Sequence, residues 1–119
     1  MRTVKLFGIP NCDTVKKTTT WLTRHGISFT FHDFKIDHIE EARFDYWVQQ
    51  AGLDRMINKR STTYRELSEA DKAKLSHPDT AYAVVRLHTS IIKRPVLEID
   101  GKLASVGFDI HQYKTLLSV

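Results

Sequence analysis

The sequence predicts an α/β fold in which a four-stranded mixed sheet is flanked by helices and interrupted by a helical insertion. Three observations lead there. Short segments with period-two patterning lie near both ends of the chain, at residues 3–9, 28–35 and 96–106. A helix-length segment separates the first two, so they are expected to pair in parallel through a right-handed crossover. Between about residues 38 and 90 the apolar residues recur instead at helical spacing.

Each element has its own reason. In the first strand Val4 and Leu6 point to one face, Lys5 and Phe7 to the other, and Gly8 and Pro10 close it. A helix begins at Cys12 or Asp13 and runs to His25, where Gly26 supplies the stop. The second strand, residues 28–35, carries Phe29 and Phe31 on one face. In residues 39–51, Phe44, Trp47, Val48 and Ala51 make one helical face that Gly52 ends. Leu53, Met56 and Ile57 suggest a further turn, Ser68-Glu69-Ala70-Asp71 reads as a helix start, and His77-Pro78-Asp79 breaks the chain before Ala81, Val84 and Val85. Residues 96–99 and 102–106 form a hairpin around Asp100-Gly101, a type I′ pair, with Gly107 read as a bulge glycine. In the last helix Asp109 caps, Gln112 stands three residues on, and Phe108 staples to Tyr113.

Composition narrows the function classes. The chain has 119 residues, 41% hydrophobic and 27% charged, which is the make-up of one globular domain over residues 1–119. No apolar run approaches the roughly 20 residues needed to cross a bilayer, and Thr3-Val4-Lys5-Leu6 enters a strand pattern directly. A cytoplasmic protein without a membrane partner is expected. Cys12 is the single cysteine, which excludes an internal disulfide and a four-cysteine zinc site. The net charge of +4 is spread along the chain and not gathered on one stripe, so no direct nucleic-acid contact is expected. The six histidines show no ligand spacing, and no bound metal is expected.

Cys12 carries the functional signal. It stands between a strand and a helix in Gly8-Ile9-Pro10-Asn11-Cys12-Asp13-Thr14-Val15-Lys16, where free backbone N–H groups and the helix dipole favour a thiolate. Lys16, four residues on, adds positive charge, while Asp13 opposes it unless turned away as a cap. The same loop geometry suits an oxyanion or a carboxylate, and arginine is the residue expected to complete such a site. Arg60 and Arg94 are candidates among the eight arginines.

Four stretches carry a resemblance. They are Gly8-Ile9-Pro10-Asn11-Cys12-Asp13-Thr14-Val15-Lys16-Lys17, Asn58-Lys59-Arg60-Ser61-Thr62-Thr63-Tyr64-Arg65-Glu66-Leu67, Ile91-Ile92-Lys93-Arg94-Pro95-Val96, and Val106-Gly107-Phe108. In this order they resemble the ArsC/Spx/YffB family over essentially the whole chain, with most likeness to its YffB branch. The resemblance implies a thioredoxin-like fold with a helical insertion. It implies Cys12 as nucleophile, Arg60 and Arg94 as the anion-holding arginines, and a cis Pro95. The third arginine of the arsenate reductases is replaced within Val106-Gly107-Phe108, and the second cysteine of the Spx-type switch by Val15.

A monothiol site is what these departures leave. Its mixed disulfide needs an outside thiol to resolve it. The expected function is a glutathione-linked monothiol reductase with no bound cofactor. Glutathione is its co-substrate, or glutaredoxin its partner, and a small-molecule or protein disulfide its substrate. Asn11, Asp13, Lys16, Arg60, Arg94 and Pro95 are expected to line the glutathione site. The alternatives implied by the resemblance are a glutaredoxin-linked arsenate reductase and an Spx-like regulator that binds RNA polymerase.

Overall fold

The computed structural model describes residues 2–119. They run β1 (Val4–Gly8), α1 (Asp13–Arg24), β2 (Thr30–Asp33), α2 (Phe34–Asp37), α3 (Glu41–Ala51), α4 (Leu53–Met56), α5 (Thr62–Glu66), α6 (Glu69–Lys74), α7 (Pro78–Val85), a 3-10 turn (Thr89–Ile91), β3 (Val96–Ile99), β4 (Lys102–Val106) and α8 (Ile110–Leu117). Two compact units result. One joins the described residues up to Asp33 with Arg94–Val119, and the other is Phe34–Lys93.

The first unit is a thioredoxin-like sheet in the order β2-β1-β3-β4. β1 pairs with β2 in parallel and with β3 antiparallel, and β3 pairs antiparallel with β4. Its core lies on one face, where Val4, Leu6 and Leu97 of the sheet meet Leu22 of α1 and Tyr113 and Leu117 of α8. Phe29 and Phe31 pack against the same cluster, as the period-two pattern requires. Each fully buried leucine side chain contributes about 1.5–3 kcal/mol relative to exposure. Phe7 points the other way and is also fully buried, its ring 4.9 Å from that of His32.

The second strand is shorter than residues 28–35, and the ladder explains why. The parallel pairing runs from Lys5 opposite Thr30 to Gly8 opposite Asp33, where β1 ends. Beyond that point β2 has no backbone partner, and Phe34 turns into α2. The hairpin forms as expected, with positive φ at Asp100 (54°) and Gly101 (77°). Asp100 ties it to the start of the chain: its Oδ1 accepts from the Thr3 amide at 2.7 Å and its own amide donates to the Thr3 carbonyl at 2.8 Å. The bulge does not fall at Gly107. Leu97 pairs with Ser105 and Glu98 with Leu103, so Ala104 is the extra residue and Gly107 lies past the strand end. In α8 the Asp109 carboxylate caps the Gln112 amide at 3.0 Å, and Phe108 meets Tyr113 edge to face at 4.9 Å. Gln112 does not reach back toward the cap; its Oε1 accepts from the Ser105 hydroxyl at 3.1 Å.

The second unit is helical. Phe44 and Trp47 of α3 are fully buried, whereas Val48 and Ala51 are only half-buried, so the buried stripe is narrower than the pattern implied. Phe34 packs near Trp47, Phe44 near Tyr82, and the Tyr82 hydroxyl donates to the Ile39 carbonyl at 2.6 Å. Ser68 caps α6 through the Asp71 amide at 3.1 Å, and Pro78 opens α7 at its first turn. The short helix α5 was not anticipated, although Ser61 caps it by accepting from the Tyr64 amide at 3.1 Å. Among the described residues no helix is long and apolar enough to cross a membrane, and no histidine, cysteine and carboxylate cluster could hold a metal.

Candidate functional site

Cys12 sits where a strand hands the chain to a helix. β1 ends at Gly8, Ile9 is buried, and Pro10 and Asn11 make an exposed turn. Cys12 then occupies the N-cap of α1 in extended conformation, with φ −106° and ψ 127°. Its carbonyl accepts the first helical hydrogen bond, from the Lys16 amide at 2.9 Å. No side chain caps this helix, which leaves the amides of its first turn available to the sulfur. Asp13 is therefore not the cap; it is the exposed first residue of the helix.

Packing fixes the position of that turn. A Cβ built on Gly8 would lie 2.8 Å from the Val15 side chain, closer than such contacts are tolerated. Only glycine lets the strand end and the first helical turn approach this closely. Val15 is buried, and one turn on Thr18 is buried too, its hydroxyl donating to the Thr14 carbonyl at 2.7 Å. Residues four apart thus lock the turn that presents Thr14 and Val15 to Cys12.

Arg94 completes the electrostatics. Partial burial alone pushes the Cys12 thiol up. The Val15 amide, the Arg94 guanidinium through both a hydrogen bond and its charge, and the Thr14 amide together outweigh it, and the thiol ends below its ordinary value. Arg94 precedes a cis bond to Pro95, which is buried. The Pro95 carbonyl accepts from the Gly107 amide at 2.8 Å, and the Tyr113 hydroxyl donates to the Gly107 carbonyl at 3.4 Å. A backbone and side-chain relay therefore runs from α8 through Gly107 and Pro95 to the arginine that faces the sulfur. Gly107 has φ +86°, a conformation that strains any residue with a side chain.

Of the residues nominated from the sequence, Cys12 and Arg94 are brought together, and Pro95 follows Arg94 across the cis bond. Asn11 and Asp13 flank the sulfur at exposed positions, and Lys16 meets Cys12 through its backbone while its side chain is exposed. Arg60 belongs to the second unit, where it is exposed in a tight turn. Its amide donates to Asn58 Oδ1 at 3.1 Å, and the Ser61 hydroxyl donates to the Asn58 carbonyl at 2.9 Å. The sequence reading missed Gly8, Gly107 and Tyr113 as supports. Gly8 reads in the sequence only as a strand end and Gly107 only as a bulge glycine, and nothing local marks a tyrosine in the last helix as a brace.

Comparison with known proteins gives a consistent picture. The model of the ArsC family matches residues 7–116. An uncharacterised protein of Haemophilus influenzae is 40% identical over 111 residues, which is 93% of this chain and 96% of that protein. The global transcriptional regulator Spx of Staphylococcus haemolyticus is 29% identical over 116 residues, 96% of this chain and 86% of the regulator. Among solved structures, a YffB protein is similar at 39% identity and a TM-score of 0.88, covering 95% of this chain and 97% of its own. An arsenate reductase-related protein from Brucella melitensis is similar at 37% identity and a TM-score of 0.73, over 98% of this chain and 96% of its own.

Proposed function

Because this chain belongs to the ArsC family, we propose that it acts as a glutathione-linked monothiol reductase with Cys12 as nucleophile. The observation that carries the reading is the acidified Cys12 thiol, held at the N-cap of α1 against Arg94. In the first step the Cys12 thiolate attacks one sulfur of a substrate disulfide. A Cys12–substrate disulfide forms, and the other half leaves as a thiolate that takes a proton from solvent. In the second step a glutathione thiolate attacks that mixed disulfide. Cys12 leaves as the thiolate, and the substrate half departs joined to glutathione. No second cysteine exists in the chain to do this internally.

Glutathione suits the chemistry because its two carboxylates match cationic groups. Arg94 faces the sulfur, and Lys16 and Arg60 are the further cations that the resemblance nominates. A glutaredoxin thiol in place of glutathione uses the same two steps. Arsenate is a poorer fit. Its reduction brings a thiolate toward a multiply charged oxyanion, and the stretch that the resemblance matches to the third arginine, Val106-Gly107-Phe108, holds no cation. The Spx-like reading keeps the fold and the loop, but Val15, buried against Gly8, takes the place of the second cysteine.

The test is covalent. Glutathione disulfide is expected to add one glutathione to the wild-type chain and none to Cys12→Ser, read by intact mass. Arg94→Ala and Arg60→Ala should each slow the addition. Unchanged rates in both would remove the arginines from the site even with Cys12 reactive.

A further inference from the structure

A groove of about 380 Å³ runs along α1 beside the start of α8. Its floor is apolar: Trp21, Phe108 and Ile110 line it, with Trp21 and Phe108 ring centroids 6.2 Å apart and Ile110 45% exposed. Lys16, Lys17 and Arg24 rim it, and no residue of the lining carries a carboxylate. The carboxylate of Asp109, between Phe108 and Ile110, is turned away to cap α8. Among the described residues no ion pair engages the three rim cations. An apolar floor with three uncompensated cations along one helix face selects an anionic occupant that has an apolar anchor.

The groove also begins one helical turn past Cys12. Lys16 is one helical turn past Cys12, about 6 Å along the axis, and Arg24 is about 18 Å along it. An extended chain covers that span with about five residues. A small thiol held at Cys12 would leave most of this length empty. We propose that the groove docks an acidic, apolar-anchored segment of a protein whose sulfur exchanges with Cys12, so that the substrate disulfide belongs to a protein. The proposal rests on the monothiol reading of Cys12 and adds the class of its substrate.

Two labelled peptides test it. Each carries one cysteine as a mixed disulfide with 2-mercaptoethanol, plus a leucine and charged residues within about five positions of that cysteine. One has glutamates and the other lysines. At subsaturating concentration the glutamate peptide is expected to exchange with Cys12 about tenfold faster than the lysine peptide, as several exposed charge pairs of modest strength together allow. The preference should fall toward unity in high salt. It should fall likewise in the double variant Lys17→Glu, Arg24→Glu, checked for folding by its melting curve. Equal rates for the two peptides, or a preference that survives both salt and charge reversal, would overturn the proposal. If that variant does not fold, the salt series on the wild type decides. Binding of a cysteine-free glutamate peptide to Cys12→Ser, read by anisotropy, separates the two readings. Salt-sensitive binding there supports the groove even if Cys12 reacts with nothing, in which case the monothiol reading fails alone. No binding there overturns the groove.

Discussion

Cys12 and Arg94 set the chemistry of the proposed exchange, and each makes a prediction. The Cys12 thiol lies below its ordinary value, so its alkylation rate should rise with pH through a midpoint below that of the same thiol in the unfolded chain. The sign for stability follows. The folded chain holds the thiolate more readily than the unfolded chain, so this group stabilises the fold fully above the unfolded value, and the effect is lost as pH falls through the folded midpoint. Arg94→Ala removes a hydrogen bond and a positive charge from the sulfur, and the midpoint should move up toward the free-thiol value. An unmoved midpoint would leave the backbone amides of Thr14 and Val15 as the whole cause. Gly107→Arg is the substitution the family pattern suggests for restoring the missing arginine. The positive φ at Gly107, whose amide also holds Pro95, makes loss of stability the expected outcome instead. A thermal melt of the variant reads it directly.

At the scale of elements, the junction of β1 and α1 depends on Gly8. Gly8→Ala places a methyl group 2.8 Å from Val15, and overpacking of that kind costs about 1–3 kcal/mol. Because the crowding falls on the turn that presents the Val15 amide, the variant should also raise the Cys12 midpoint; chemical denaturation and the alkylation profile check the two effects separately. Asp109→Ala removes the α8 cap and should cost about 1 kcal/mol, with the same denaturation readout. These elements differ in how far the sequence alone revealed them. The Asp100-Gly101 hairpin, the Asp109 cap and the helix start at Cys12 were legible because each is fixed by neighbours within four residues. The end of β2 was not, since it depends on where β1 stops, at Gly8 opposite Asp33, far away in sequence. The bulge at Ala104 was hidden for a related reason: register is decided across the ladder between Leu97 and Ser105, and no local glycine marks it. For the candidate site, Cys12 at the helix start was readable from its position, and Arg94 from the stretch that carries the resemblance. The relay from Tyr113 through Gly107 to Pro95 was not, because it joins residues whose sequence neighbours give no sign of the contact.

At the scale of the whole molecule, the chain belongs to the ArsC family, and the proposed exchange is with a disulfide and not with an oxyanion. The absence of an arginine in Val106-Gly107-Phe108 bears on that choice. Losing one charge-assisted contact to a charged oxyanion costs about 2–4 kcal/mol, or roughly 30- to 1000-fold in rate. Arsenate reduction in an assay coupled to glutathione and glutaredoxin should therefore be weak, beside measurable turnover of a small mixed disulfide. Efficient arsenate turnover would return the chain to the reductase chemistry of the family. The most direct measurement is the intact mass of the protein after exposure to glutathione disulfide across a pH series. One glutathione per chain, with formation rising through a midpoint below that of a free thiol and nothing added to Cys12→Ser, is the expected result. No adduct on the wild type, or a midpoint at or above that of a free thiol, would contradict monothiol exchange at Cys12.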